Sequence, residues 1–489
     1  MSGNGFKLGL AISTYEWMAA ATLLIVAIFF MPIYLKNNIF TMPQFLNKRY
    51  DGRVSLVMAI FWLLLYVVVN LTAILYLGAL AINTISGINF TVCMLALSVF
   101  AIVITLGGMK VIGYTDVIQV VFLIIGGLAT TYLAINMVAH KFGGDGIMTG
   151  LNIMMQKTPD HFHMIFDKSN PNYMSLPGLT ILIGGMWVVN LNYWGCNQYI
   201  TQRALGADLP TARNGILFAA FLKLLMPVIV VLPGIAAYVL HQNGGLQQEM
   251  LKDGVLNQDN AYPVLLNLLD PGLKGLAFAA LTAAIVASLA GKINSISTIF
   301  TLDIYKKFIN PTASETKLVN IGRIAIVVSM VLGIIIAPFM GIDKKGGFEF
   351  IQEYTGFVSP GVFATFVLGF FWKRSTANAA LFSIIGGFAV SILLKFLPGM
   401  MDLSFLSASN FSVFNPDSKL YEIPFLDRMG FVFLFCVIGM WLISIFDRES
   451  VDAPKGLEID PNMFKMSNGF AVGAMIVVGI LTALYTIFW

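Results

Sequence analysis

Apolar residues fill this chain in long stretches separated by short polar connections. Twelve stretches stand out: 8–34, 54–83, 90–108, 114–138, 177–198, 214–240, 276–302, 318–340, 350–372, 378–397, 429–446 and 468–489. A hydrocarbon core takes about 20 apolar residues per helix. The pattern therefore predicts an all-α integral membrane protein of about 12 transmembrane helices, with the lipid bilayer as its solvent and no soluble domain attached. The longest polar connections, 139–176, 241–275 and 398–428, are rich in Asn, Gly, Pro or Asp, as loops are.

Composition agrees. Hydrophobic residues are 58% of 489 and charged residues 11%, against about 45–50% and about 25% in soluble domains. Sixteen Lys and Arg fall in one set of loops and ten in the other, Lys7 included. The richer side is expected in the cytoplasm. The first stretch then starts outside, which leads us to expect a further helix upstream.

The net charge of +4 carries no basic block, so no nucleic-acid partner is expected. Cys93, Cys196 and Cys436 lie in apolar stretches and make no disulfide or zinc pattern. His140, His161, His163 and His241 fall in or beside external loops; His161 and His163 could hold a metal weakly, but solvated loop residues are the expectation. No phosphate loop, HExxH or nucleophile elbow occurs, so no enzyme, cofactor or transition-metal site is expected.

An ionisable group inside a bilayer is costly and marks a candidate functional position. Glu16, Asp116, Lys223, Lys292 and Glu353 qualify. Lys395, one turn from Pro398, can snorkel to the interface. Glu16 and Lys223 could pair with each other, as a purely structural tie between helices or around a polar ligand. In 177–198, Asn190, Tyr193, Trp194 and Asn197 recur at helical spacing on one face, while Gly184, Gly185 and Gly195 weaken the helix. Amides with aromatic faces suit a sugar, and they also suit plain interhelical packing. Ala284, Ala287, Ser288 and Lys292 share a face of 276–302. Small residues allow close helix approach, and a Ser hydroxyl near open carbonyls can ligate sodium. Gln352 and Glu353 open the irregular segment FEFIQEYTGFVSPG, at a cavity mouth or at a simple helix start.

The long runs GLAISTYEWM, VNLTAILYLGALA, GGMKVIGYTDVIQ, WVVNLNYWGCNQYI, GILFAAFLKLL, NSISTIFTLDIYK and FIQEYTGFVSPG resemble the solute:sodium symporter family, its bacterial sugar-transporting members above all. The resemblance covers almost the whole chain. It implies an inverted-repeat (LeuT-like) transporter core: 1–138 as the remainder of the first repeat, 177–372 as the second, and 378–489 as additional C-terminal helices. It implies sugar-hydroxyl ligands at Glu16, Asn190, Lys223 and Gln352, and an inner aromatic gate at Tyr193. Met1, Tyr15 and Phe348 match an outer hydrophobic lid. Ala284, by its carbonyl, and Ser288, by its hydroxyl, match sodium ligands, and Asp116 an acidic residue on the inward sodium path.

Some positions depart from the family pattern. Met1 aligns inside the first core helix, past the half that in relatives binds sodium and sugar, so the core reads as N-terminally truncated, by a misplaced start or a true truncation. Ala287 and Ala19 stand where a near relative has serines. Lys292 replaces an apolar residue one turn beyond Ser288; it lines the inner cavity as a modulator of sodium release, or as a solvated lysine without a role. The resemblance implies sodium-coupled symport of a galactose- or glucose-type hexose in a bacterial inner membrane, with sodium as coupling ion. The alternatives are a sodium-coupled carrier of another polyol or organic solute, and a non-transporting sugar-binding or inert protein. The oligomeric state is left open.

Overall fold

The computed structural model describes all residues except 40, 108, 253, 340–346, 417 and 453–454; the side chains of 109–112, 114–116, 252 and 452 also lie outside the described residues. Among the described residues, nine helices are long and apolar enough to cross a bilayer: Ser2–Lys36, Gly52–Ser86, Val117–Lys141, Leu209–Gln242, Pro271–Ile309, Glu315–Phe339, Ala377–Gly399, Phe425–Phe446 and Asn468–Ile487. Gly347–Gly356 and Ser359–Phe371 form a pair bent by 52°, and Phe90–Leu106 is a shorter apolar helix. The stretch 177–198 is broken into Thr180–Ile183 and Gly185–Gly195. Each of the twelve predicted stretches thus falls on helix.

The helices gather into two compact units. The first comprises Met1–Ser13, Trp62–His163 and Leu225–Ile351; the second comprises Thr14–Phe61, Met164–Leu224 and Gln352–Trp489. In the first unit, the helix that begins at Pro271 packs along Met109–Lys141 and Phe90–Leu106. Small residues set this contact: the Thr105 hydroxyl donates to the Ala290 carbonyl at 3.4 Å. The Ser2–Leu8 helix lies on Leu232–Gln242, and a Cβ at Gly234 would fall 2.1 Å from the Ser2 carbonyl oxygen. Only glycine permits that approach.

In the second unit, Ser359–Phe371 packs against Phe425–Phe446 and Gly185–Gly195. Its C-terminal half meets an aromatic cluster in which the Phe45 and Phe366 rings stack at 4.6 Å. Arg49, 1% exposed, closes the end of this helix. Its guanidinium donates to the carbonyls of Gly369, Trp372, Lys373 and Ser375 at 2.8–3.2 Å. The last carbonyls of a helix have no intrahelical donors and carry partial negative charge, so a guanidinium fork suits them.

Wide π-helical turns interrupt several helices, including Val26–Phe30 and Leu65–Leu71. Such a turn leaves carbonyls without their usual donors. Arg213 meets those of Ala27 and Ile28 at 3.0 and 3.4 Å.

Candidate functional site

The second unit places three sequence-predicted residues together. Glu16 sits in the first turn of Thr14–Ile25. Lys223 sits one turn before Pro227 in Leu209–Val230. Lys223 Nζ lies 2.5 Å from Glu16 Oε2, and the two side chains are 20% and 12% exposed. Trp194 completes the group: the ammonium lies 4.8 Å from its ring centroid. Neither charge is solvated by lipid, so each is the other's compensation, and the aromatic face adds cation–π attraction.

Trp194 is carried by Gly185–Gly195, together with Asn190 and Tyr193. The Tyr193 and Trp194 rings meet edge to face at 5.1 Å. Asn190 is 5% exposed and donates to its own helix, at the Met186 carbonyl, 3.1 Å away. No hydrogen bond joins Gln352, in Gly347–Gly356, to Glu16, Asn190 or Lys223 among the described residues.

Two readings of this helix need correction. It ends at Gly195, so Asn197 does not continue the polar face. Asn197 instead caps Gln198–Ala204 by accepting from the Tyr199 amide. The glycines serve packing as well as the break at Gly184: a Cβ on Gly185 would lie 1.9 Å from the Leu426 carbonyl oxygen. The sequence reading also passed over Asn192, which is buried and donates to the Ser359 hydroxyl at 3.0 Å.

The first unit holds the residues matched to sodium. Ala284 and Ser288 are partly exposed on the helix Pro271–Thr298, and Ala287 is buried. Ser295 turns its hydroxyl back to the Gly291 carbonyl. Ser288 makes no such bond among the described residues, so its oxygen is available. Asp116 lies on the helix Met109–Lys141, and its side chain is outside the described residues. Lys292 departs from expectation: it is 2% exposed, not solvated in an open cavity, and its ammonium sits 4.3 Å above the Tyr66 ring. Tyr66 belongs to the π-helical turn Leu65–Leu71.

Met1 and Phe348 are partly exposed in the first unit, and Tyr15 is buried in the second. Beside Phe348, Glu349 accepts from Asn4 and Lys7, each at 3.5 Å. His161 is no solvated loop residue. Its ring stacks on Tyr238 at 4.0 Å and meets the Phe6 carbonyl at 3.1 Å. Burial pulls its pKa below the ordinary histidine value, partly countered by that carbonyl. No group of three or more His, Cys, Asp or Glu is placed to hold a metal among the described residues. Lys395 does not simply snorkel: it pairs with Glu353 at 2.5 Å.

A family model described as the sodium:solute symporter family matches residues 1–387. The chain belongs to the sodium:solute symporter family. As a symporter of this family it is an integral membrane transport protein and not an enzyme. It is 44% identical over 497 residues to the sodium/glucose cotransporter of Vibrio parahaemolyticus, covering 100% of this chain and 87% of that one. It is 30% identical to the human sodium/myo-inositol cotransporter 2, covering 80% of this chain and 60% of that one. It is also 33% identical to a bovine sodium/mannose cotransporter, covering 79% and 68%. Among solved structures, a Na+-coupled sialic acid symporter in a substrate-bound outward-open state superposes with a TM-score of 0.71 at 21% identity, over 93% of this chain and 86% of that one. The symporter therefore has the LeuT-like fold expected from its sequence.

Proposed function

We propose that this chain carries out sodium-coupled symport of a galactose- or glucose-type hexose by alternating access. The observation that carries the reading is the buried Glu16–Lys223 pair beside Trp194. A carboxylate and an ammonium held together at low dielectric present an acceptor and donors that sugar hydroxyls can bridge, and an indole face suits the C–H face of a pyranose. Glu16, Asn190, Lys223 and Gln352 are the hydroxyl ligands in this reading. Tyr193 is the inner gate, and Met1, Tyr15 and Phe348 form the outer lid. The Ala284 carbonyl and Ser288 hydroxyl ligate sodium, and Asp116 lies on its way inward. The repeats 1–138 and 177–372 supply the alternating parts, with 378–489 as added helices. The similarity to cotransporters named for glucose and mannose supports the hexose assignment. Sodium moving down its gradient gains about 2.3 kcal/mol per 100 mV of membrane potential, which drives accumulation without a cofactor. A bacterial inner membrane is the proposed location.

Lys292 acts as a modulator in this reading. A buried ammonium about one helical turn from Ser288 repels sodium there and so weakens its binding. A second reading, transport of a cyclic polyol, draws on relatives named for myo-inositol.

The test is uptake of labelled galactose, glucose and myo-inositol into proteoliposomes, with sodium or with choline outside. Residues 1–489 and the same chain extended to the nearest in-frame upstream start are compared. Sodium-dependent hexose uptake by either form supports the proposal. Preference for myo-inositol selects the second reading. Sodium-independent sugar binding without uptake by both forms overturns it.

A further inference from the structure

The helix break that follows Gln352 carries a chain of hydrogen bonds. Gly347–Gly356 and Ser359–Phe371 meet at a bend of 52°. Pro360 favours the bend, because it has no amide to give to the Gly356 carbonyl one turn back. The backbone turns tightly instead. The Phe357 and Val358 amides donate three residues back, to the Tyr354 and Thr355 carbonyls at 3.4 and 3.2 Å. The Ser359 hydroxyl reaches the same Thr355 carbonyl at 2.9 Å and so braces the bend.

Ser359 is 1% exposed, and its oxygen also accepts from Asn192 Nδ2 at 3.0 Å. Asn192 belongs to Gly185–Gly195, the helix of Asn190, Tyr193 and Trp194. Thr355 lies three residues after Gln352, one turn along the same face of Gly347–Gly356. The chain from Asn192 through Ser359 to Thr355 therefore runs from the helix with the aromatic faces to the half-helix with Gln352, across the bend. All of these residues lie in the second unit.

Stability does not account for Asn192. Its residue is 8% exposed, and its Oδ1 has no partner among the described residues. A buried acceptor left unmet is destabilising. An apolar side chain of similar size would remove that unmet group, and Ser359 would keep its bond to Thr355. What an apolar side chain would lose is the tie between the two helices.

We propose, resting on the symport reading above, that Asn192 is a positioning residue for the sugar site: through Ser359 it sets the register between Tyr193 and Trp194 on one helix and Gln352 beyond the bend. In that reading Gln352 is a hydroxyl ligand and Tyr193 the gate, and Asn192 acts on both without touching the sugar.

The test is uptake into proteoliposomes at saturating sodium, using whichever of galactose, glucose and myo-inositol the wild type takes up, with unfolding midpoints of the same proteins. Asn192→Leu is expected to raise the half-saturating sugar concentration about tenfold, the weight of one hydrogen bond. Its maximal rate should stay within about twofold of the wild type, and its midpoint should be unchanged or higher. Ser359→Ala should show the same rise in half-saturation, and the double variant no further rise, because both changes break one chain. An unchanged half-saturation in Asn192→Leu, with a transporting wild type, overturns this proposal alone. Additive rises also overturn it, since Asn192 then acts through another partner. So does a rise accompanied by a lower midpoint and a lower maximal rate, which makes Asn192 a packing residue. A wild type that takes up none of the three sugars overturns the symport reading and this proposal with it.

Discussion

Lys223 Nζ reaches Glu16 Oε2 at 2.5 Å from a helix more than 200 residues away in sequence, with Trp194 against the ammonium. The pair can be removed from either side, with different expected results. Glu16→Gln keeps an acceptor and the shape but leaves the ammonium unneutralised. Lys223→Met leaves a carboxylate without its cation, and breaking such a buried pair costs about 3–5 kcal/mol. Hexose uptake should fall at least about tenfold in both, and only the double variant Glu16→Gln/Lys223→Met should regain stability without regaining uptake. Paired unfolding and uptake measurements check this.

Lys292 is expected to set the sodium requirement. In Lys292→Met the side-chain bulk over Tyr66 stays and the charge goes. The sodium concentration for half-maximal uptake should fall by about tenfold, the effect of roughly 1.4 kcal/mol of relieved repulsion. An unchanged sodium titration would reduce Lys292 to a packing residue.

Arg49 is expected to matter for stability and not for transport specificity. Arg49→Ala strips donors from four carbonyls beyond and within the end of Ser359–Phe371. A loss of about 2–4 kcal/mol is expected from hydrogen bonds to a charged group. Arg49→Lys should restore little of it, because an ammonium cannot reproduce the planar fork. Thermal midpoints of the three proteins check the order.

Gly185 and Gly430 form a matched pair of tests. A Cβ at Gly185 meets the Leu426 carbonyl at 1.9 Å, whereas one at Gly430 meets its nearest atom at 3.6 Å. Gly185→Ala should therefore destabilise by at least about 1–3 kcal/mol through overpacking. Gly430→Ala should be neutral or slightly stabilising, as alanine is the better helix former. Expression yield and unfolding midpoint decide the comparison.

His161 is expected to make stability depend on acid. Burial lowers its pKa in the folded protein, so the unfolded chain takes up the proton first, near pH 6.5. Its contribution is complete above that value and is lost as the pH falls from there towards the lowered folded pKa. His161→Phe keeps the ring against Tyr238, so its midpoint should fall less between pH 7 and pH 5 than that of the wild type.

The sequence alone determined that the twelve apolar stretches fall on helix, their bilayer setting and the positions of the lone intramembrane charges Glu16 and Lys223. Those follow from local terms: a continuous apolar run and an isolated charge each carry their cost wherever the helix packs. The runs that resemble the symporter family extended this to the fold. The tertiary structure alone decided how the charges are met. Arg428 reads as one more residue at the edge of a loop, and Lys395 as a snorkelling end, until both converge on Glu353 across 75 and 42 residues. Lys292 reads as a cavity lysine until Tyr66 covers it. Asn197 shares the spacing of Asn190 but falls beyond Gly195, where the helix has ended. Periodicity states which residues share a face only while the helix lasts, and it does not name the partner on the other side. That partner is set by which helices pack together, through contacts distant in sequence.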